Sequence, residues 1–335
     1  MAAEPRAAAG APMDAGDAGP VRKGTVYLVG AGPGAIGCLT LRALEVLGTC
    51  DAVLHDRLVP AEIVRLARLG AEVRYVGKEG NVDTDRMKVQ QDDISAQLAQ
   101  LALKGFSVCR LKGGDPMIFA RVGEEMEECA KAGVPYEIVP AVTAALAAGA
   151  DANVPLTFRK AATSVRILTM NPSTTRDESF DWAQFLAPAT TYALYMGLSA
   201  LPACCERMLA VGVPADRPMA IVDRASLPAA QTVAGTVGTL PGLVAGRKDL
   251  EGPAMCLLGD VVGLRDRLSS GARAAPPPAP ADPALVAALA VLPAVGDDGL
   301  RALRDRIDEL LRARGEGGLQ AAPAKRAASG DVVER

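Results

Sequence analysis

The chain alternates between short apolar or β-branched runs and longer stretches in which apolar residues recur every three or four positions. The short runs predict strands at 25–30, 51–56, 72–77, 107–111 and 136–140, and the longer ones helices near 38–49, 60–69, 90–104 and 123–132. Each strand–helix–strand step calls for a right-handed crossover, so this half reads as a largely parallel sheet. Residues 153–164 break the rhythm and read as a linker. A second set of strands is predicted at 165–170, 190–197, 218–225, 232–237 and 254–259. Little helical pattern lies between 218 and 237, so this half is expected to mix parallel and antiparallel strands. The expected fold class is α/β, with two α/β domains (24–152 and 165–268) and a ligand cleft between them.

The flanking segments differ in composition. Residues 1–23 are expected to be a disordered leader, rich in Ala, Gly, Pro and Asp, rather than a signal peptide. Residues 269–335 read as a Pro/Ala-rich tether, an amphipathic helix over 299–314 carrying Leu300, Leu303, Ile307, Leu310 and Leu311, and a disordered tail.

Composition narrows the function. Aromatics make up 3 % of residues and the net charge is −3, which argues against a base-stacking platform or a basic nucleic-acid footprint. No apolar run reaches the roughly 18 residues of a membrane span. The seven cysteines include no C-x-x-C pair and His55 is the single histidine, so no metal site is expected. Unpaired core cysteines fit a reducing cytoplasm.

The candidate chemistry sits in glycine loops. The stretch 26-VYLVGAGPGAIG-37 leaves a strand through Gly30 and Gly32, with Ala35 completing a permissive G-x-G-x-x-G/A pattern and Asp56 closing the next strand. Pro33 counts against a dinucleotide turn, because proline has no N–H to offer a pyrophosphate. The absence of G-K-[ST] excludes a P-loop. A second glycine turn lies in 110-RLKGGDPMIFARVGEE-125 and a third small-residue loop in 140-PAVTAA-145. Three such loops at the carboxyl ends of strands in one sheet favour a folded, compact cofactor.

The ordered segments VYLVGAGPG, LTLRALEVL, HDRLV, YVGK, RLKGGDPMIFARVGEE, GVPYEIVPAVTAA, VPLTFR and YALYMGL resemble the tetrapyrrole methylase family, from about Thr25 to Leu268. The resemblance implies a homodimer of two-domain subunits that bind S-adenosylmethionine. It implies methylation of uroporphyrinogen III at C2 and C7 to precorrin-2, with a related tetrapyrrole precursor or a non-catalytic cofactor-binding role as alternatives. For the cofactor it implies Pro33, Gly113, Gly114, Asp115, Ile118, Thr143, Ala144 and Met196, with Ala225 contributing through its backbone. For the substrate it implies Arg121, Glu124 and Arg159, with Arg57 as an addition, and for proton acceptance and donation Asp56 and Lys78.

Departures from the family pattern cluster in these loops. The family's F-G-R-G-G-E-E is 119-FARVGEE-125 here, so Ala120 and Val122 replace glycines and would strain the loop wherever those glycines need positive φ. Ala141 stands for glycine in P-G-V-T, Phe158 for histidine in L-T-H-R and His55 for tyrosine in Y-D-R-L-V. Asn171-Pro172 follows the strand at 165–170, where the family often has glycine-histidine.

Overall fold

A computed structural model describes residues 20–77 and 84–269, with only the backbone described over 84–92. Residues 1–19 of the predicted leader, Lys78, the tether and the 299–314 helix lie outside the described residues.

The first sheet contains β1 (Val26–Gly30), β2 (Ala52–His55), β3 (Glu72–Tyr75), β4 (Val108–Lys112) and β5 (Tyr136–Val139). Its order is β3-β2-β4-β1-β5 and every pairing is parallel. Alternate side chains point to opposite faces, as the period of two requires. Tyr27, Val29, Val53, Cys109 and Leu111 bury one face against α1 (Leu41–Thr49) and α2 (Ala61–Val64). Val26, Leu28, Ala52, Leu54 and Val108 bury the other against α3 (Thr84–Leu103) and α4 (Val122–Lys131). Helix α1 starts where the Thr40 hydroxyl accepts the Ala43 N–H at 3.1 Å, an N-cap bond. The helix predicted over 60–69 stops at Val64, where β-branched Ile63 and Val64 favour it poorly.

The second sheet contains β6 (Ser164–Thr169), β7 (Thr190–Tyr195), β8 (Pro218–Asp223), β9 (Gln231–Thr236) and β10 (Ala254–Leu258), in the order β6-β7-β10-β8-β9. β6 and β7 are parallel and the remaining pairs antiparallel, as the scarcity of helical pattern between 218 and 237 led one to expect. Helix α5 (Ala144–Asp151), which the periodicity did not predict, lays Ala145, Ala147 and Ala148 on Ala193, Ala220, Val222 and Leu257. The opposite face is closed by Trp182, Phe185, α7 (Leu201–Ala210) and Leu240 of α8 (Leu240–Val244). The Asn171-Pro172 pair opens the short α6 (Pro172–Arg176). Asn171 caps it by accepting the Ser173 and Thr174 N–H groups at 2.9 and 3.0 Å, and proline takes the first turn, where no N–H is needed. A last short helix, α9 (Arg265–Ser269), ends the described chain.

Within the first sheet β1 and β4 are neighbours, yet the helices that follow them lie on opposite faces. That makes their carboxyl ends a topological switch point, the place where open α/β sheets leave a crevice.

Candidate active site

Both glycine turns open at that switch point. Gly32 and Gly114 exchange backbone hydrogen bonds of 3.2 and 2.8 Å, so the loops after β1 and β4 are clasped together. Asp115 joins the third loop to this pair: one carboxylate oxygen accepts the Met117 N–H and the other the Ala141 N–H, each at 2.8 Å. Both of its oxygens thus already serve to fix loops. Gly113 is pressed against the β2 turn, since a Cβ there would lie 2.5 Å from the Leu58 Cβ. Gly114, at φ +73°, has nothing within 4 Å of where a Cβ would stand, so its backbone faces open space.

Two loops of the second sheet close on this cluster. Tyr195, ending β7, brings its hydroxyl against that of Thr143 and accepts the Ala145 N–H at 3.1 Å. Its ring meets Phe119 edge-on at 5.1 Å. Met196 follows at φ 59° with half its surface exposed. The turn after β8 holds Ala225 buried between Arg224 (φ 52°) and Ser226 (φ 70°). Ser226 accepts the Ala35 N–H at 3.1 Å and donates its own N–H to Asp151 at 2.5 Å. Leu227 fills the space beside Gly34, where a Cβ would approach its methyl group to 2.6 Å. Pro33, Gly113, Gly114, Asp115, Thr143, Ala144, Met196 and Ala225 therefore sit on five loops that touch one another. Ile118 joins them, donating its N–H to the Asp115 carbonyl at 3.2 Å.

These loops and the β2 turn also leave large apolar side chains in the open: Leu58, Met117, Phe119 and Met196 are each between 41 and 56 % exposed. Apolar surface gathered in one loop cluster marks a ligand-binding face. A groove of about 790 Å³ elsewhere, lined by Leu146, Leu156, Phe158, Ile167 and Leu268, is not formed by the glycine turns.

The residues expected to meet the substrate are more dispersed. Arg121 and Glu124 form an exposed pair at 2.9 Å at the start of α4, where such a pair is worth a few tenths of a kcal/mol. Arg57 and Arg159 are exposed, and neither ion-pairs with a described residue. Asp56 accepts the Leu58 N–H at 2.9 Å through one oxygen. Its other oxygen lies 3.4 Å from the Gly113 N–H and 3.8 Å from the Arg110 guanidinium.

The strain anticipated at Ala120 and Val122 falls elsewhere. The left-handed residues are Phe119 (φ 52°) and Arg121 (φ 56°), while Val122 is the first, buried residue of α4. The two glycine replacements are thus accommodated in ordinary backbone, and the cost of left-handed backbone is borne by the two side chains the loop retains.

Three groups went unrecognised in the sequence. Tyr195 and Ser226 carry the contacts between the two sheets' loops. Arg110, Lys112 and Glu125 form a buried ionic cluster beneath Asp56. A signal existed for the last: Glu125 lies on the buried stripe Val122–Glu125–Cys129, and Arg110 and Lys112 share the face of β4 that carries Val108.

Two α/β sheets whose glycine and small-residue loops converge on an open apolar face match a described family: residues 25–241 match Tetrapyrrole (Corrin/Porphyrin) Methylases. The chain belongs to that family, whose methyl donor is S-adenosylmethionine. Among curated proteins it is similar to the siroheme synthase of Azotobacter vinelandii, at 44 % identity over 75 % of this chain and 53 % of that protein. The siroheme synthase of Pseudomonas aeruginosa PAO1 is 43 % identical over 77 % of this chain and 55 % of that protein. The chain spans about half the length of these curated relatives. Among solved structures, uroporphyrin-III-C-methyltransferase from Thermus thermophilus is 39 % identical with a TM-score of 0.59, covering 73 % of this chain and 98 % of its own. A structure of the Thermus thermophilus enzyme complexed with S-adenyl homocysteine gives 34 % identity and a TM-score of 0.60, over 72 % of this chain and 99 % of its own.

Proposed function

We propose that the protein methylates uroporphyrinogen III at C2 and C7 to give precorrin-2, acting as a cytoplasmic homodimer with S-adenosylmethionine as methyl donor. The observation that carries this reading is the meeting of the five loops, which sets cofactor-type backbone beside exposed apolar side chains. The cofactor's fit rests on the open space at Gly114 and on that apolar face. Pro33, Gly113, Gly114, Ile118, Thr143, Ala144, Met196 and the Ala225 backbone would hold it, with Asp115 keeping two of their loops in register.

S-adenosylmethionine, when bound, supplies an electrophilic methyl group on a sulfonium sulfur. The protein's part is to align a ring carbon of the reduced pyrrole with that group at near-attack distance. The substrate carries many carboxylates, and Arg121 and Arg159 are placed at exposed positions to pair with them by charge-assisted hydrogen bonds. Glu124 accepts from a pyrrole N–H. Once the ring has taken the methyl group it must lose one proton, and Asp56 accepts it. Lys78, the expected proton donor, lies outside the described residues. The identity to the uroporphyrin-III enzyme, 39 %, against 25 % to cobalt precorrin-4 methyltransferase at a TM-score of 0.61, favours the former substrate class.

The test is anaerobic incubation of the purified protein with S-adenosylmethionine and freshly generated uroporphyrinogen III, followed by mass and absorbance. A gain of two methyl groups supports the reading. No gain, with cofactor binding intact by calorimetry, overturns it in favour of a different substrate or a non-catalytic role.

A further inference from the structure

The buried cluster under the β4 turn has no part in the mechanism above. Successive even-numbered residues of β4 point toward α4: Val108 packs in its apolar core, then Arg110 and Lys112 follow two and four residues on. Both cations meet one carboxylate, Glu125, which has no exposed surface. Arg110 Nε donates to Glu125 Oε1 at 3.0 Å, and Lys112 Nζ donates to both Glu125 oxygens at 2.8 Å. Burial, followed by the neighbouring Arg110, lowers the Lys112 pKa, and Glu125 opposes both.

Such a cluster is expensive. Desolvating each charge costs several kcal/mol, and apolar replacements of similar shape are often as stable or more so. Its position is what gives it a use. Arg110 has its guanidinium arms committed to its own strand and to β2: Nη1 donates to the carbonyls of Leu111 in β4 and Leu54 in β2 at 2.9 and 3.3 Å, and Nη2 stands 3.8 Å from Asp56 Oδ2. It therefore grips the end of the strand that carries Asp56 and faces its carboxylate as well. Formally the cluster holds two positive charges and one negative, and Asp56 is the second acid facing it. With Asp56 included, the charges balance.

We propose that Glu125, acting through Arg110, is a positioning residue for Asp56. It holds the guanidinium in the plane that fixes both the Leu54 carbonyl and the Asp56 carboxylate, so that the carboxylate meets the substrate's departing proton at one orientation. This rests on the reading of Asp56 as proton acceptor. It assigns a role in turnover to a residue that touches neither substrate nor cofactor.

The experiment is a double-mutant cycle with Glu125→Gln and Asp56→Asn in the full chain, reading kcat and KM for uroporphyrinogen III and the cofactor Kd by calorimetry. Glu125→Gln keeps the shape and removes the charge. The expected result is a fall in kcat of about tenfold or more, with KM and cofactor Kd within about twofold of the parent. In the Asp56→Asn background the same change has no further effect on the residual kcat. If the two losses multiply, or if Glu125→Gln leaves kcat unchanged, the positioning role is overturned. Full activity in Asp56→Asn alone overturns the reading of Asp56 and this proposal with it, and is recognised before the second mutation is made. Should Glu125→Gln fail to fold, Arg110→Lys, which keeps the charge and loses the fork, is carried through the same cycle with the same expectation.

Discussion

Gly30→Ala tests whether the first two glycine turns and the third loop form one built unit. Gly30 ends β1 with ordinary backbone dihedrals, so left-handed strain plays no part; what matters is space. A Cβ at Gly30 would lie 2.5 Å from the Ala141 Cβ, 2.8 Å from the Gly114 carbonyl oxygen and 2.8 Å from Pro116 Cδ. Ordinary contact begins near 3.4 Å, so the neighbours must retreat by 0.6 to 0.9 Å (3.4 − 2.8 and 3.4 − 2.5). They belong to two different loops and one is backbone, so no rotamer change relieves the clash. Overpacking of this kind costs about 3 kcal/mol, at the upper end of its usual range. For a chain this size that is a fall in melting temperature of about 4–6 °C. The displaced loops are those expected to hold the cofactor, so its Kd by calorimetry should weaken more than tenfold. Ala141→Gly removes one of the three clashes, and Gly30→Ala/Ala141→Gly should recover about 1 kcal/mol. An unchanged melting temperature and cofactor affinity in Gly30→Ala would refute the picture of three mutually packed loops.

Ser226→Ala removes the acceptor for the Ala35 N–H and should weaken cofactor binding about three- to tenfold, the worth of one hydrogen bond, while Leu227→Ala beside Gly34 should add to it in calorimetry. Arg121→Gly should raise KM for uroporphyrinogen III at least tenfold, yet stabilise the free protein by about 1 kcal/mol in denaturant titration by relieving a left-handed side chain. Burial alone would raise the Asp51 pKa, but hydrogen bonds from Lys23 and Ser107 outweigh it and hold it down to about 2. The stability this lends is present above the unfolded pKa near 3.8 and is lost as pH falls through about 2. Asp51→Asn should cost about 2 kcal/mol at neutral pH and flatten the acid limb of a melting-temperature profile.

Much of the fold was legible because both sheets bury their central strands. A strand with a core on each face reads as a short continuous apolar run, as VYLVG and YALYM do, and such runs locate themselves by length and by the glycines that end them. The helix over 144–151 escaped for the opposite reason. AALAAGAD is apolar all round and has small side chains, so it shows no amphipathic period; it is held by packing on Ala193, Ala220 and Leu257, which only the folded chain brings together. Strain was expected at Ala120 and Val122 because a pattern of glycines suggests positive φ at each. Backbone dihedrals depend on how the loop enters α4, and here the left-handed positions are Phe119 and Arg121.

The pair Glu124 and Glu125 shows why spacing alone ranks site residues poorly. Glu124 is three residues from Arg121, a separation that places both on one helix face, and they pair in the open. Glu125 is four residues from the same Arg121, a separation that also suits a helix pair, yet the two cations that hold it come from β4, thirteen and fifteen positions earlier in the chain. Local periodicity does hold the clue, since an acid on the Val122–Cys129 stripe must be buried and a buried acid must be paired. The alternation of β4 then supplies two cations on the matching face. Following burial first and pairing second leads from Glu125 to Arg110, and from Arg110 to the carboxylate of Asp56.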